Sequence, residues 1–87
     1  MERATILVVD DERDVREILE DYLTGHGYGV VTAASAEAAL EVLEGTTVDL
    51  ILTDVHMGAM SGVELCARLK GGPRLQLTPV VLIDRAR

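Results

Sequence analysis

Four aspartates stand where their carboxylates could together hold a cation. Asp10 and Asp11 follow the first apolar run of the chain, Asp54 ends a second run, and Asp84 follows a third. If these runs are strands of one parallel sheet, their carboxyl ends meet at one rim, where such sheets bind ligands. Carboxylates about 4 Å apart repel by roughly 4 kcal/mol at an effective dielectric constant near 20, so a cation or bound protons must offset the repulsion. Hard oxygen ligands favour Mg²⁺. The sequence therefore predicts a Mg²⁺ site at Asp10, Asp11 and Asp54, and Asp84 could contribute a fourth carboxylate on the same rim.

The hydrophobic pattern predicts the elements that position these aspartates. Continuous apolar runs predict strands at residues 5–9, 30–32, 48–53 and 79–83. Helical spacing predicts a helix after each of the first three strands. The first ends at 25–27; the second is capped by Ser35 and closed by Gly45; the third has Leu65, Cys66 and Leu69 on its inner side and ends at 71–73. The order β-α-β-α-β-α-β requires right-handed crossovers and a parallel sheet, an α/β fold of the flavodoxin-like, doubly wound kind.

Length and composition restrict the possible classes of protein. With 87 residues the chain forms one domain at most, and 48% hydrophobic residues argue against disorder. No apolar run reaches the roughly 20 residues of a membrane span, and no secretory signal is visible. Cys66 is the single cysteine, which excludes a disulfide framework. We therefore expect a soluble, cytoplasmic protein.

The charge is strongly asymmetric along the chain. Fifteen acids against eight bases give a net charge of −7, which argues against direct binding of nucleic acid. Residues 1–54 hold thirteen acids and three arginines, a sum of −10, whereas residues 55–87 hold two acids and five bases, a sum of +3. The acidic part could attract a cation, and the basic end could dock an anionic partner.

Three segments resemble the receiver domain of two-component response regulators: LVVDDE at 7–12, LTDVHMGAMSGVEL at 52–65 and TPVVLIDRAR at 78–87. In that family the aspartate after the third strand is phosphorylated by the phosphohistidine of a sensor histidine kinase or a phosphotransfer protein. The resemblance implies that Asp54 is this phosphoacceptor. It also implies that Asp10 and Asp11 hold Mg²⁺ together with Asp54, and that the backbone carbonyl of His56 completes the metal site.

The chain departs from the family pattern at several positions. Where receivers have a switch Ser or Thr after the fourth strand, this chain has Asp84, followed by Arg85 in place of a small residue. The family's phosphate-binding lysine has no counterpart, because the only lysine is Lys70, near the end of the third predicted helix. Gly58 replaces a common proline in the loop after the phosphoacceptor.

The resemblance also implies that the last helix, strand and helix of the family are absent. We therefore expect residues 1–87 to be a single truncated receiver domain, with an exposed fourth strand that a homodimer could cover. Two further expectations are that Met57 and Met60 pack the loop against the core, and that His26 is a cap or surface residue.

Two functions are the main hypotheses, and two others fit the sequence poorly. The first is a signalling phosphoacceptor, capable at most of Mg²⁺-dependent self-phosphorylation and dephosphorylation. The alternative is a degenerate receiver that binds a protein partner without phosphorylation, which Asp84, Arg85 and the missing lysine favour. A phosphatase of the haloacid-dehalogenase type fits poorly. Those enzymes have a D-x-D motif after the first strand, whereas Asp10 and Asp11 are adjacent. A nucleotide-binding Rossmann domain lacks its glycine-rich loop.

Overall fold

Strands and helices alternate strictly along the chain. The computed structural model describes residues 3–84. Its strands are β1 Thr5–Val9, β2 Gly29–Ala33, β3 Leu50–Asp54 and β4 Val80–Ile83, and its helices are α1 Arg13–Gly25, α2 Ala36–Gly45 and α3 Gly62–Lys70. The strands form one parallel sheet in the order β2-β1-β3-β4. This arrangement confirms the predicted flavodoxin-like α/β fold.

The predicted third strand begins two residues too early. The ladder between β1 and β3 starts where Ile6 pairs with Leu50, so Val48 and Asp49 precede the strand. The Asp49 carboxylate accepts a hydrogen bond from the backbone N–H of Thr5 at 2.7 Å. A side-chain oxygen thereby takes the place of a ladder acceptor, which hydrophobicity alone does not reveal.

One face of the sheet carries the main core. Leu7, Val9 and Ile51 point to this face and are at most 1% exposed. Helices α2 and α3 cover it with the buried side chains of Ala36, Ala39, Leu43, Leu65 and Leu69. The stripe predicted for the third helix is therefore confirmed at Leu65 and Leu69, while Cys66 is only half-buried.

The opposite face is only partly covered. Helix α1 packs mainly on β2 and β1 and has no fully buried residue. Ile18 is 66% exposed and Tyr22 63% exposed, although both lie at the helical spacing that predicted this element. The apolar stripe thus identifies the helix correctly, but part of it faces a groove rather than a second layer of helices.

Side-chain caps fix the starts of α2 and α3. Ser35 accepts from the backbone N–H of Ala38, which confirms the predicted cap, and Ser61 accepts from that of Glu64. His26 is the C-cap residue of α1, as expected, and its Nδ1 lies 2.9 Å from the carbonyl oxygen of Tyr22. Within residues 3–84, no helix is long and apolar enough to cross a membrane.

Candidate functional site

Three aspartates come together at the carboxyl ends of β1 and β3. Asp10 follows β1 and is 4% exposed, Asp54 is the last residue of β3 and is 2% exposed, and Asp11 is exposed. One carboxylate oxygen from each of the three lies within 4.8 Å of the others. The cluster forms because β1 and β3 are neighbours in the sheet, so residues distant in sequence end side by side.

Backbone and side-chain bonds hold Asp10 in place. Its N–H donates to the carbonyl of Ala33 at 3.1 Å, which continues the ladder beyond the end of β1. Its Oδ1 accepts from the N–H of Glu12 at 2.8 Å. Its carbonyl accepts from Nη1 of Arg16 at 2.7 Å, so the first turn of α1 supports the site. Sequence reasoning missed Arg16, whose only signal is its place on the turn that follows the acid pair.

Asp54 is held by hydrogen bonds from two residues close to it in sequence. Its Oδ1 accepts from the N–H of His56 at 3.1 Å. Its carbonyl accepts from the hydroxyl of Thr53 at 3.2 Å, and Thr53 is fully buried beside the sulfur of Met57. The end of β3 therefore presents the carboxylate from a rigid support.

The loop between β3 and α3 packs closely against the core and the end of β3. Met57 and Met60 are each 7% exposed and belong to the core, which confirms their expected packing role. A Cβ on Gly62 would lie 2.2 Å from the carbonyl oxygen of Asp54, closer than any side chain allows. Gly62 therefore lets the first turn of α3 rest directly on the backbone of Asp54. No pattern in the sequence signals this contact.

Asp84 stands apart from the three-carboxylate cluster. Its Oδ1 lies 3.4 Å from Nε2 of His56, and both side chains are more than 60% exposed. Asp84 therefore lies at the edge of the rim, where it faces the side chain of His56, and it is not one of the three clustered carboxylates. Arg85, the other atypical switch position, lies outside the described residues.

Lys70 lies at the opposite end of β4 from the rim. Its ammonium donates to the carbonyl of Thr78, just before the strand begins. The only lysine of the sequence therefore lies away from the acidic cluster.

The cluster has the composition of a site for a hard divalent cation. Asp10 and Asp54 are buried carboxylates, and removing such groups from water is unfavourable unless charge and hydrogen bonds compensate. At an effective dielectric constant near 20, each pair of negative charges about 4 Å apart repels by roughly 4 kcal/mol. Three carboxylates converging from two strands and a partly open side at Asp11 suit Mg²⁺, which keeps several water ligands.

Comparison with known proteins agrees with this fold. The chain matches the response regulator receiver domain family over residues 6–86, and it belongs to that family. Over 71 residues it is 45% identical to the transcriptional regulatory protein YvrH of Bacillus subtilis, covering 80% of this chain and 30% of that protein.

Solved receiver structures superpose closely on the chain. A response regulator receiver protein from Pseudomonas putida has a TM-score of 0.91 at 30% identity, covering 97% of this chain and 69% of that one. The response regulator TrrA from Thermotoga maritima, solved in complex with Mg²⁺-BeF, has a TM-score of 0.85 at 31% identity, covering 95% of this chain and 70% of that one. The chain spans no more than 30% of the length of the curated relatives it matches. A receiver domain is a signalling module, and this chain is similar to the receiver domains of two-component response regulators.

Proposed function

We propose that residues 1–87 act as a single receiver domain whose Asp54 accepts a phosphoryl group from the phosphohistidine of a sensor histidine kinase or a phosphotransfer protein. The observation that carries this proposal is the buried carboxylate of Asp54 within 4.8 Å of two further carboxylates at the end of a parallel strand. The family assignment supports it and does not favour the alternative, a receiver that acts without phosphorylation.

The reaction is a transfer between two bonds to phosphorus. A carboxylate oxygen of Asp54 forms the new P–O bond, while the P–N bond of phosphohistidine breaks and its electron pair returns to the imidazole nitrogen, which takes up a proton. The product is an acyl phosphate on Asp54. Bound Mg²⁺ would offset the charge shared by the carboxylate and the phosphoryl oxygens.

The residues around Asp54 have separate roles in the proposed reaction. Asp10, Asp11 and Asp54 would hold Mg²⁺, with the backbone carbonyl of His56 as a further oxygen ligand. The N–H of His56 and the hydroxyl of Thr53 orient Asp54, so its nucleophilic oxygen is positioned before the donor arrives. Asp84 and His56 border the approach, and the charge of Asp84 opposes an incoming phosphoryl group.

The proposal is tested by intact-mass spectrometry after incubation with acetyl phosphate, a small phosphoryl donor. We expect wild-type protein to gain one phosphoryl group in the presence of Mg²⁺ and none with excess chelator. Asp54→Asn, which keeps the size of the side chain, is expected to gain none. Folded wild-type protein that remains unmodified with Mg²⁺ would contradict the proposed function and support the phosphorylation-independent alternative.

A further inference from the structure

Arg16 closes a ring of hydrogen bonds around the acid pair. Oδ1 of Asp10 accepts from the backbone N–H of Glu12 at 2.8 Å. The carbonyl of Glu12 accepts from the backbone N–H of Arg16 at 3.2 Å, at the start of α1. Nη1 of Arg16 then donates to the carbonyl of Asp10 at 2.7 Å, so the ring returns to the residue where it began. Asp11 lies within the segment that this ring encloses.

The ring ties the start of α1 to the end of β1. The N–H of Asp10 donates to the carbonyl of Ala33 on β2, so the sheet holds Asp10 on its N–H side and Arg16 holds it on its carbonyl side. The carbonyl of Asp10 and the N–H of Asp11 belong to one planar peptide. A bond that fixes this carbonyl therefore also fixes the direction in which the chain continues to Asp11.

A guanidinium at this place has two opposed effects on a divalent cation bound by the cluster. Its positive charge repels the cation, so charge alone would make removal of Arg16 strengthen binding. Its hydrogen bond fixes the peptide that joins two of the three clustered carboxylates, and loss of partners that orient metal ligands typically weakens metal binding about 10- to 100-fold. The hydrogen bond is short and charge-assisted, which favours the second effect.

We propose that Arg16 is a positioning residue of the acidic site, which holds Asp10 and Asp11 in the orientation that binds a divalent cation together with Asp54. The inference deepens the proposed function and rests on it for the identity of the cation, Mg²⁺. The role requires the donor at the end of the Arg16 side chain and not its charge. Arg13 on the same helix differs in this respect, because its Nε pairs with the exposed carboxylate of Glu17 at 2.9 Å.

Titration with Mg²⁺, followed by backbone amide NMR shifts, tests this role without a phosphoryl donor. We expect Arg16→Met, which keeps an unbranched stem but loses the charge and the donors, to raise the dissociation constant about tenfold. Arg13→Met is the matched control, because it removes the same charge from the same helix, and it should bind at least as tightly as wild type. Arg16→Lys keeps a donor and should recover part of the affinity, and this recovery cannot come from its charge, which repels Mg²⁺.

Several results of the titration would overturn the proposal. These are equal or tighter binding by Arg16→Met, an equal loss in Arg13→Met, no recovery in Arg16→Lys, and wild type without measurable Mg²⁺ binding. Wild-type protein that binds Mg²⁺ but is not phosphorylated by acetyl phosphate would instead contradict the proposed function alone.

Amide hydrogen exchange tests the ring itself in metal-free protein. We expect the N–H of Glu12, which donates to Asp10, to exchange about tenfold faster in Arg16→Met, because the turn opens more often. The N–H of Ala38, which donates to Ser35 at the start of α2, is the internal control and should not change. Unchanged exchange at Glu12 in folded Arg16→Met would overturn the ring as a support. Equally faster exchange at both amides would show a general loss of stability and would overturn a specific role for Arg16.

Discussion

Asp10 and Asp54 are negative residues buried at the ends of adjacent strands. Burial of a charge is tolerated when hydrogen bonds and opposite charge compensate for lost water. Backbone N–H groups of Glu12 and His56 supply part of that compensation. Mutual repulsion of the three carboxylates opposes this arrangement, and bound Mg²⁺ would offset that repulsion.

Asp84 is the residue whose charge works against the proposed reaction. We expect Asp84→Asn to speed phosphorylation by acetyl phosphate about 1.4- to fivefold, because an exposed charge at this range contributes roughly 0.2–1 kcal/mol. The rate is measured by intact mass against time at fixed Mg²⁺. Glu41→Gln, an equal change of charge on exposed α2, is the control and should leave the rate unchanged. An unchanged or slower rate for Asp84→Asn would contradict this role.

Gly62 sets the distance between α3 and the backbone of Asp54. We expect Gly62→Ala to destabilise the protein by about 1–3 kcal/mol, because its Cβ would overlap the carbonyl of Asp54 and force the helix away. Urea unfolding followed by circular dichroism measures this change. Gly45→Ala is the matched control at the end of α2, where a Cβ meets nothing within 4 Å and the change should be neutral or stabilising. Equal stability of the two variants would show that the close contact has no energetic consequence.

At the scale of elements, α1 differs most from the other two helices. Helices α2 and α3 bury their apolar stripes against the sheet, whereas α1 leaves Ile18 in an open groove of about 310 Å³. The groove is lined by Val15, Ile18, Leu19, Asp10 and Ile83. Helix α1 therefore contributes less burial than its sequence pattern suggests.

The exposure of Ile18 on α1 leads to a prediction about the free energy of unfolding. Ile18→Lys should change the free energy of unfolding by no more than about 0.5 kcal/mol, since the side chain is largely in water already. Leu65→Ala, at a fully buried stripe position of α3, should cost about 2–5 kcal/mol. Urea titrations of the two variants make the comparison. A large loss for Ile18→Lys would mean that a surface covers this groove in solution.

The sequence predicts the elements well because each buried strand is a continuous apolar run and each helix has a clear period. The start of β3 is missed, since the Asp49 carboxylate replaces a ladder acceptor and side-chain bonding leaves no hydrophobic signal. The exposure of Ile18 is missed for a related reason: periodicity shows which residues share a face, but not whether another element covers it.

At the scale of the whole molecule, sheet order creates the site. Because strand ends on one edge are adjacent in a parallel sheet, Asp10, Asp11 and Asp54 could be placed together from sequence, and the structure brings them together. The contacts that surround these aspartates could not be predicted in the same way. The contact of Gly62 with Asp54 and the pairing of His56 with Asp84 depend on how a loop and two strand ends pack, which no short-range pattern encodes.

The central claim is that Asp54 is the phosphoacceptor, and mapping the modified residue tests it most directly. Protein treated with Mg²⁺ and acetyl phosphate is reduced with borohydride, which converts an aspartyl phosphate to homoserine, and its peptides are sequenced by mass spectrometry. The account predicts homoserine at position 54 and at no other aspartate, with none in Asp54→Asn. Homoserine at Asp10, Asp11 or Asp84 instead, or unmodified Asp54 in folded protein, would contradict it.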